Sequence, residues 1–117
     1  MNFVWVFLGG GSGSVLRYLI GIIFQKSGLE LPIATLIANV LACIIFAVSI
    51  SFIENKLPAG TSARLLLLTG FCGGLSTFST FGYETWLLIK QSNYVWALIN
   101  MVISLILCVG AFIFFKK

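Results

Sequence analysis

Four long apolar runs dominate this chain and leave few folds open to it. They extend over residues 3–24, 32–53, 64–89 and 94–115. A helix needs about 20 apolar residues to cross a hydrocarbon core of about 30 Å, so each run is long enough to span a bilayer. In lipid, every backbone N–H and C=O must be satisfied within the spanning segment, which favours helix for each run. Between the runs fall Lys26-Ser27-Gly28, Glu54-Asn55-Lys56-Leu57-Pro58-Ala59-Gly60 and Lys90-Gln91-Ser92-Asn93. Connections this short join neighbours as antiparallel hairpins and leave both termini on one side. The expected fold is an all-α membrane protein of four transmembrane helices. Residues 1–117 form one domain, with no linker and no low-complexity tract.

Composition removes the competing classes. Of 117 residues, 60% are hydrophobic and 9% charged, and the mean hydropathy is +1.12. Soluble domains carry roughly 25% charged residues, so this chain cannot clothe a water-facing surface. His and Asp are absent, and the acids are Glu30, Glu54 and Glu84. That excludes most metal-ligand sets and any nucleophile–His pairing, and it argues against an enzyme. Cys43, Cys72 and Cys108 lie within apolar stretches and read as small buried residues, not a disulfide framework. The net charge of +4 is scattered singly except at Lys116 and Lys117. It indicates anchoring to membrane lipid headgroups and no nucleic-acid partner. The N-terminus, Met1-Asn2-Phe3-Val4-Trp5, lacks a basic n-region and reads as a first helix, not a removable signal peptide.

Orientation is weakly specified. Lys56, Arg64, Lys116 and Lys117 fall on the terminal side, whereas Lys26, Lys90 and, by its reach, Arg17 fall on the other. So small a bias permits insertion both ways up, and two copies then make an antiparallel pair with its two-fold axis in the membrane plane. A single orientation fixed by Lys116-Lys117 is the other reading. Four bundled helices fill their own centre, so a polar path needs a surface groove or a second copy.

Polar groups inside a membrane are costly and are functional candidates for that reason. Helix one carries Gly9-Gly10-Gly11-Ser12-Gly13-Ser14 and then Arg17. The small residues at Gly9/Gly13 and Gly10/Ser14 suit close helix contact. Arg17 either snorkels to headgroups or places positive charge in an aqueous vestibule. Asn39 sits mid-span in helix two, where its amide serves an interhelical hydrogen bond or an ion. The run Gly70-Phe71-Cys72-Gly73-Gly74-Leu75-Ser76-Thr77-Phe78-Ser79-Thr80-Phe81-Gly82 is poor material for continuous helix. It predicts a third helix broken near its middle, and non-helical backbone at that depth is tolerated only where it is buried or lines a cavity. Phe78 and Phe81 share a helical face, and Thr77, Thr80 and Glu84 form an adjacent stripe. Aromatic edges are electropositive and can receive an anion beside hydroxyl donors. Glu84 is the one acid in a predicted span. It suits pairing with Arg17, proton carriage, or a wet pore mouth. Asn100 and Ser104 make a modest donor stripe in helix four.

With these residues in view, the sequence resembles the Fluc (CrcB-type) family of fluoride channels along essentially its whole length. The carrying motifs are the Gly-rich start with Arg17-Tyr18, then Pro32-Ile33-Ala34-Thr35-Leu36-Ile37-Ala38-Asn39, then the Gly70–Phe81 string. Ala34 and Ala38 depart mildly from the pattern, at positions where Gly and Val are expected. The resemblance implies an antiparallel, dual-topology homodimer with two fluoride pores at the subunit interface, in the plasma (inner) membrane of a prokaryote. It implies that Asn39 donates a pore hydrogen bond, that Phe78 and Phe81 line the ion's route with their ring edges, and that Ser79, Thr80 and Glu84 continue it. Asn100 and Ser104 are looser correspondences on helix four. Arg17 matches the vestibule base. A structural sodium ion on the two-fold axis is implied as cofactor, held by backbone carbonyls of Gly73 and Ser76.

The implied function is passive fluoride exit that protects the cell from fluoride. Fluoride is small and tightly hydrated, so a pore must replace its water with compact donors while holding it weakly enough to release it. The competing reading is a small multidrug-type dual-topology cation exporter. Those proteins use a membrane-embedded Glu in helix one, whereas this helix one carries Arg17 and no acid. An accessory subunit with purely structural contacts is a third reading.

Overall fold

The computed structural model describes residues 2–26, 32–53, 56, 58 and 60–115. Parts of the first two connections and the Lys116-Lys117 anchor lie outside the described residues. Among these residues the chain is all helical and supplies four helices long and apolar enough to cross a membrane. It is a multi-pass membrane protein. Helix α1 is Asn2–Gln25, α2 is Ile33–Ile53, and the fourth span, α5, is Tyr94–Phe115. The third span is made of two helices. Helix α3 occupies residues 62–75, and α4 is Phe78–Lys90.

Helix α3 is unusual in its winding. Leu65–Cys72 forms a π-helix, with i→i+5 hydrogen bonds, between short α-helical ends at Ser62–Arg64 and Gly73–Leu75. Single π turns recur at functional sites, and this stretch leads directly to the break that follows. Helix α4 closes cleanly. Ser92 takes a left-handed φ of 61°. Its N–H donates to Ile89 O at 2.9 Å, and Asn93 N–H donates to Leu88 O at 2.8 Å. That pairing satisfies two of the helix's last carbonyls and turns the chain into α5.

Helices α1 and α3 pack through glycine. A Cβ at Gly9 would collide with the Leu66 carbonyl, one at Gly13 with the Phe71 carbonyl, and one at Gly74 with the Gly10 carbonyl. Lipid offers no hydrophobic drive for helix association, so such close backbone approach supplies it by dispersion. Ala38, Ala42 and Leu75 form the buried centre between α2 and α3, with Leu16, Ile20 and Phe71 packed around it. This rigid contact fixes the depth at which the third span is interrupted. Cys43, Cys72 and Cys108 are free thiols; Cys72 is buried and the other two are half-buried.

Candidate functional site

The break spans Ser76 and Thr77. Ser76 takes φ −82°, ψ 154°, and Thr77 takes φ −151°, ψ 122°, so both are extended between two helices. An extended residue points its own N–H and C=O to the same side. The carboxamide of Asn39 reads both: Thr77 N–H donates to Asn39 Oδ1 at 2.7 Å, and Asn39 Nδ2 donates to Thr77 O at 3.3 Å. A mid-membrane backbone that has left the helix is thus satisfied by one side chain, as the absence of water requires.

The diverted N–H has consequences one turn back. In an unbroken helix, Thr77 N–H would serve the Gly73 carbonyl, and Phe78 N–H the Gly74 carbonyl. The first now goes to Asn39. Gly74 O instead accepts from Arg17 Nε at 3.1 Å, with Ser14 Oγ at a long 3.5 Å. Ser76 Oγ donates to Cys72 O at 2.9 Å. Helix α4 begins with its own cap: Thr77 Oγ1 accepts from Thr80 N–H at 3.3 Å. The same hydroxyl donates to Thr80 Oγ1 at 3.2 Å and lies 3.3 Å from Ser79 Oγ. This places three hydroxyls within one turn of the break.

Beside the break, α1, α2 and α4 enclose an open-mouthed cavity of about 550 Å³, bordered by Arg17, Tyr18, Thr35, Thr77, Thr80 and Glu84 among others. The structure therefore brings Arg17, Thr80 and Glu84 together. Thr35 faces the Glu84 carboxyl. Glu84 Oε1 is buried without a hydrogen-bond partner among the described residues. Phe78, Ser79 and Phe81 do not border this cavity. Phe78 is 83% exposed and Ser79 is also exposed, whereas Phe81 is half-buried. The Phe78 and Phe81 rings lie 5.8 Å apart at 40°. Gly73 is exposed, and a Cβ there would meet nothing within 4 Å among the described residues. Gly73 and Ser76 also border a second cavity of about 150 Å³, shared with Cys43, Cys72, Phe46 and Phe112 among others.

Ser104 lies elsewhere, buried between α4 and α5. Its hydroxyl donates to Asn100 Oδ1 at 3.5 Å, Asn100 Nδ2 donates to Thr85 Oγ1 at 3.1 Å, and Thr85 donates to Phe81 O at 2.8 Å. Sequence reasoning missed Thr35 and Thr85. The signal for Thr35 was present, because it lies one turn before Asn39 on the same face of α2. Thr85 carried none, being one hydroxyl among many after the break.

A four-span chain with an interrupted third span, and with an amide, hydroxyls, a guanidinium and a carboxylate gathered around the interruption, belongs to the class of membrane proteins built to pass a small polar solute or ion. The chain belongs to the CrcB family: residues 4–115 match the family described as "CrcB-like protein, Camphor Resistance (CrcB)". It is 39% identical over 101 residues to proteins named "Fluoride-specific ion channel FluC" from Salmonella arizonae, Salmonella paratyphi B and Salmonella newport, covering 86% of this chain and 80% of each relative.

Proposed function

We propose that this protein is a fluoride-selective channel of a bacterial plasma membrane that lets fluoride leave the cell passively. The carrying observation is the 39% identity, across 86% of this chain, to proteins bearing that channel name. The break gives the reading a physical basis. It concentrates compact neutral donors at Asn39, Thr77, Ser79 and Thr80, and Phe78 and Phe81 stand beside them with ring edges available to an anion. Arg17 and the cavity make a vestibule that raises the local anion concentration. The small multidrug-type exporter is not favoured, because α1 carries Arg17 and no acid.

The working unit in this reading is an antiparallel, dual-topology homodimer. A single chain leaves Gly73, Phe78 and Ser79 exposed at the depth of the break. A second copy laid against this face covers the polar groups that lipid cannot satisfy, and creates two pathways related by symmetry. A structural sodium ion fits the same face. The Gly73 carbonyl has lost the Thr77 N–H to Asn39, and the surroundings of Gly73 are open. Neutral carbonyls freed at a helix break suit a hard monovalent cation. The carbonyls of Gly73 and Ser76 from both copies would hold it, and the ion would supply positive charge that draws the two breaks together.

The test is efflux from liposomes loaded with potassium fluoride after valinomycin addition, followed by a fluoride electrode with a chloride control. Rapid fluoride release with negligible chloride release supports the proposal. Release of both anions alike would sink the selectivity, and no release from folded dimers would sink the channel.

A further inference from the structure

The buried polar groups of the described residues are few: Thr35, Thr85, Asn100 and Ser104. Three of the four form one chain of hydrogen bonds. Ser104 Oγ donates to Asn100 Oδ1, Asn100 Nδ2 donates to Thr85 Oγ1, and Thr85 donates to the Phe81 carbonyl at 2.8 Å. Asn100 is 8% exposed and Thr85 7% exposed, so neither is placed to touch a solute directly. Polar groups kept this deep in a membrane protein are expensive unless they do something that apolar packing cannot.

What the chain holds is the backbone of Phe81. In a regular helix, the Phe81 carbonyl accepts from the N–H of Thr85 alone. Here a side-chain hydroxyl bonds the same oxygen, an arrangement that bends helices locally. Asn100 fixes the direction of that hydroxyl. By occupying the Thr85 lone pair with an N–H, it leaves the Thr85 proton free to go to Phe81 and nowhere else. Ser104 in turn holds the Asn100 amide in the flip that presents Nδ2. The chain therefore runs in one donor direction, from α5 to the first turns of α4, and it ends one turn beyond the break.

We propose that Thr85 and Asn100 are positioning residues that set the ring of Phe81, and through it the anion selectivity of the pathway. This deepens the channel reading, because it takes Phe81 as part of that pathway. Small errors in the placement of an aromatic edge matter, since its electropositive rim is narrow and its face repels an anion.

The test combines transport with a readout that needs no transport. Asn100→Leu removes the donor. Asn100→Asp keeps the shape but offers Thr85 an acceptor, so its proton leaves Phe81. Thr85→Val deletes the hydroxyl and Thr85→Ser restores it. Fluoride efflux is expected to fall about 3- to 30-fold in Asn100→Leu, Asn100→Asp and Thr85→Val, with a lower fluoride-to-chloride ratio, while Thr85→Ser stays near the native values. In parallel, 4-fluorophenylalanine incorporated at position 81 reports the ring's surroundings by ¹⁹F NMR in detergent. The three disruptive variants are expected to shift or broaden its signal. Native efflux, native selectivity and an unmoved signal in folded Asn100→Leu and Thr85→Val would overturn the proposal. A signal that moves in the variants, while the native protein itself passes no fluoride, would instead uphold the positioning and remove the channel reading. Variants that fail to fold are replaced by Asn100→Asp, whose near-identical volume keeps the packing and leaves the same two readouts decisive.

Discussion

Asn39 and Thr77 lie on different spans, and the carboxamide of one is paired with both backbone groups of the other. The extended Thr77 presents its N–H and C=O as a strand would, and Asn39 answers as a neighbouring strand would. This places a two-bond edge of sheet-like pairing inside a helical membrane protein. The pairing holds the break open where helix would otherwise close it, and it frees the carbonyl of Gly73 while doing so.

Asn39→Leu should therefore do more than remove a donor from an ion. It leaves a half-buried N–H and C=O without their partner, at a cost of up to about 1–3 kcal/mol each. The expected outcome is lower thermal stability in detergent together with lost fluoride efflux. Asn39→Asp keeps the acceptor and loses the donor to Thr77 O, so it should fall between Asn39→Leu and the native protein. Native stability in Asn39→Leu would show that the break holds itself.

Two adjacent glycines should respond oppositely to the same change. Gly74→Ala drives a methyl into the Gly10 backbone, an overpacking that costs about 1–3 kcal/mol. Gly73→Ala meets nothing within 4 Å among the described residues. Any damage from Gly73→Ala must then come from a second copy, and cross-linking or size-exclusion chromatography should show weakened dimers from well-folded chains. Equal loss of folding in both variants would contradict the packing described.

Arg17 ties α1 to the break through Gly74 O, as well as carrying charge into the vestibule. Arg17→Lys keeps the charge but loses the planar Nε donor. It should lower stability by about 1.5–3 kcal/mol, the range for hydrogen bonds to charged groups, while retaining the salt dependence of efflux. Arg17→Gln should lose that salt dependence as well. Indistinguishable salt profiles for the two variants would separate Arg17 from anion attraction.

Ser92 occupies a left-handed conformation that costs a non-glycine residue about 1–2 kcal/mol. Ser92→Gly relieves that cost at the end of α4, offset in part by the greater freedom of glycine in the unfolded chain. A modest rise in thermal stability with unchanged efflux is expected. A fall would mean that the Ser92 side chain makes a contact of its own.

The four spans were legible because uninterrupted apolar length and short polar punctuation are strong signals. The interruption of the third span was legible from Gly73-Gly74 and the hydroxyl run, since neither favours continuous helix. The partner of Asn39 was not, because it depends on the register between helices whose contacting residues are 38 apart in sequence. The glycines of α1 announced close packing, but only the fold shows that Gly70 and Gly74 receive them. Ser104 read as part of a donor stripe, and the fold shows that stripe turned inward, toward Thr85. The π winding of Leu65–Cys72 left no trace in a run of leucines, whose side chains fit either helix.

That winding makes α3 a ruler. A π turn holds one more residue than an α turn, so the eight residues from Leu65 to Cys72 set how far Thr77 is rotated about the axis when it arrives opposite Asn39. Losing one residue there with the winding kept would turn everything after it by one residue's share of a π turn. Gly74 and Thr77 both lie beyond this segment and face different partners, Gly10 and Asn39, so such a turn would carry both contacts out of register at once. The segment thus tolerates exchange of one apolar side chain for another far better than it tolerates a change in length.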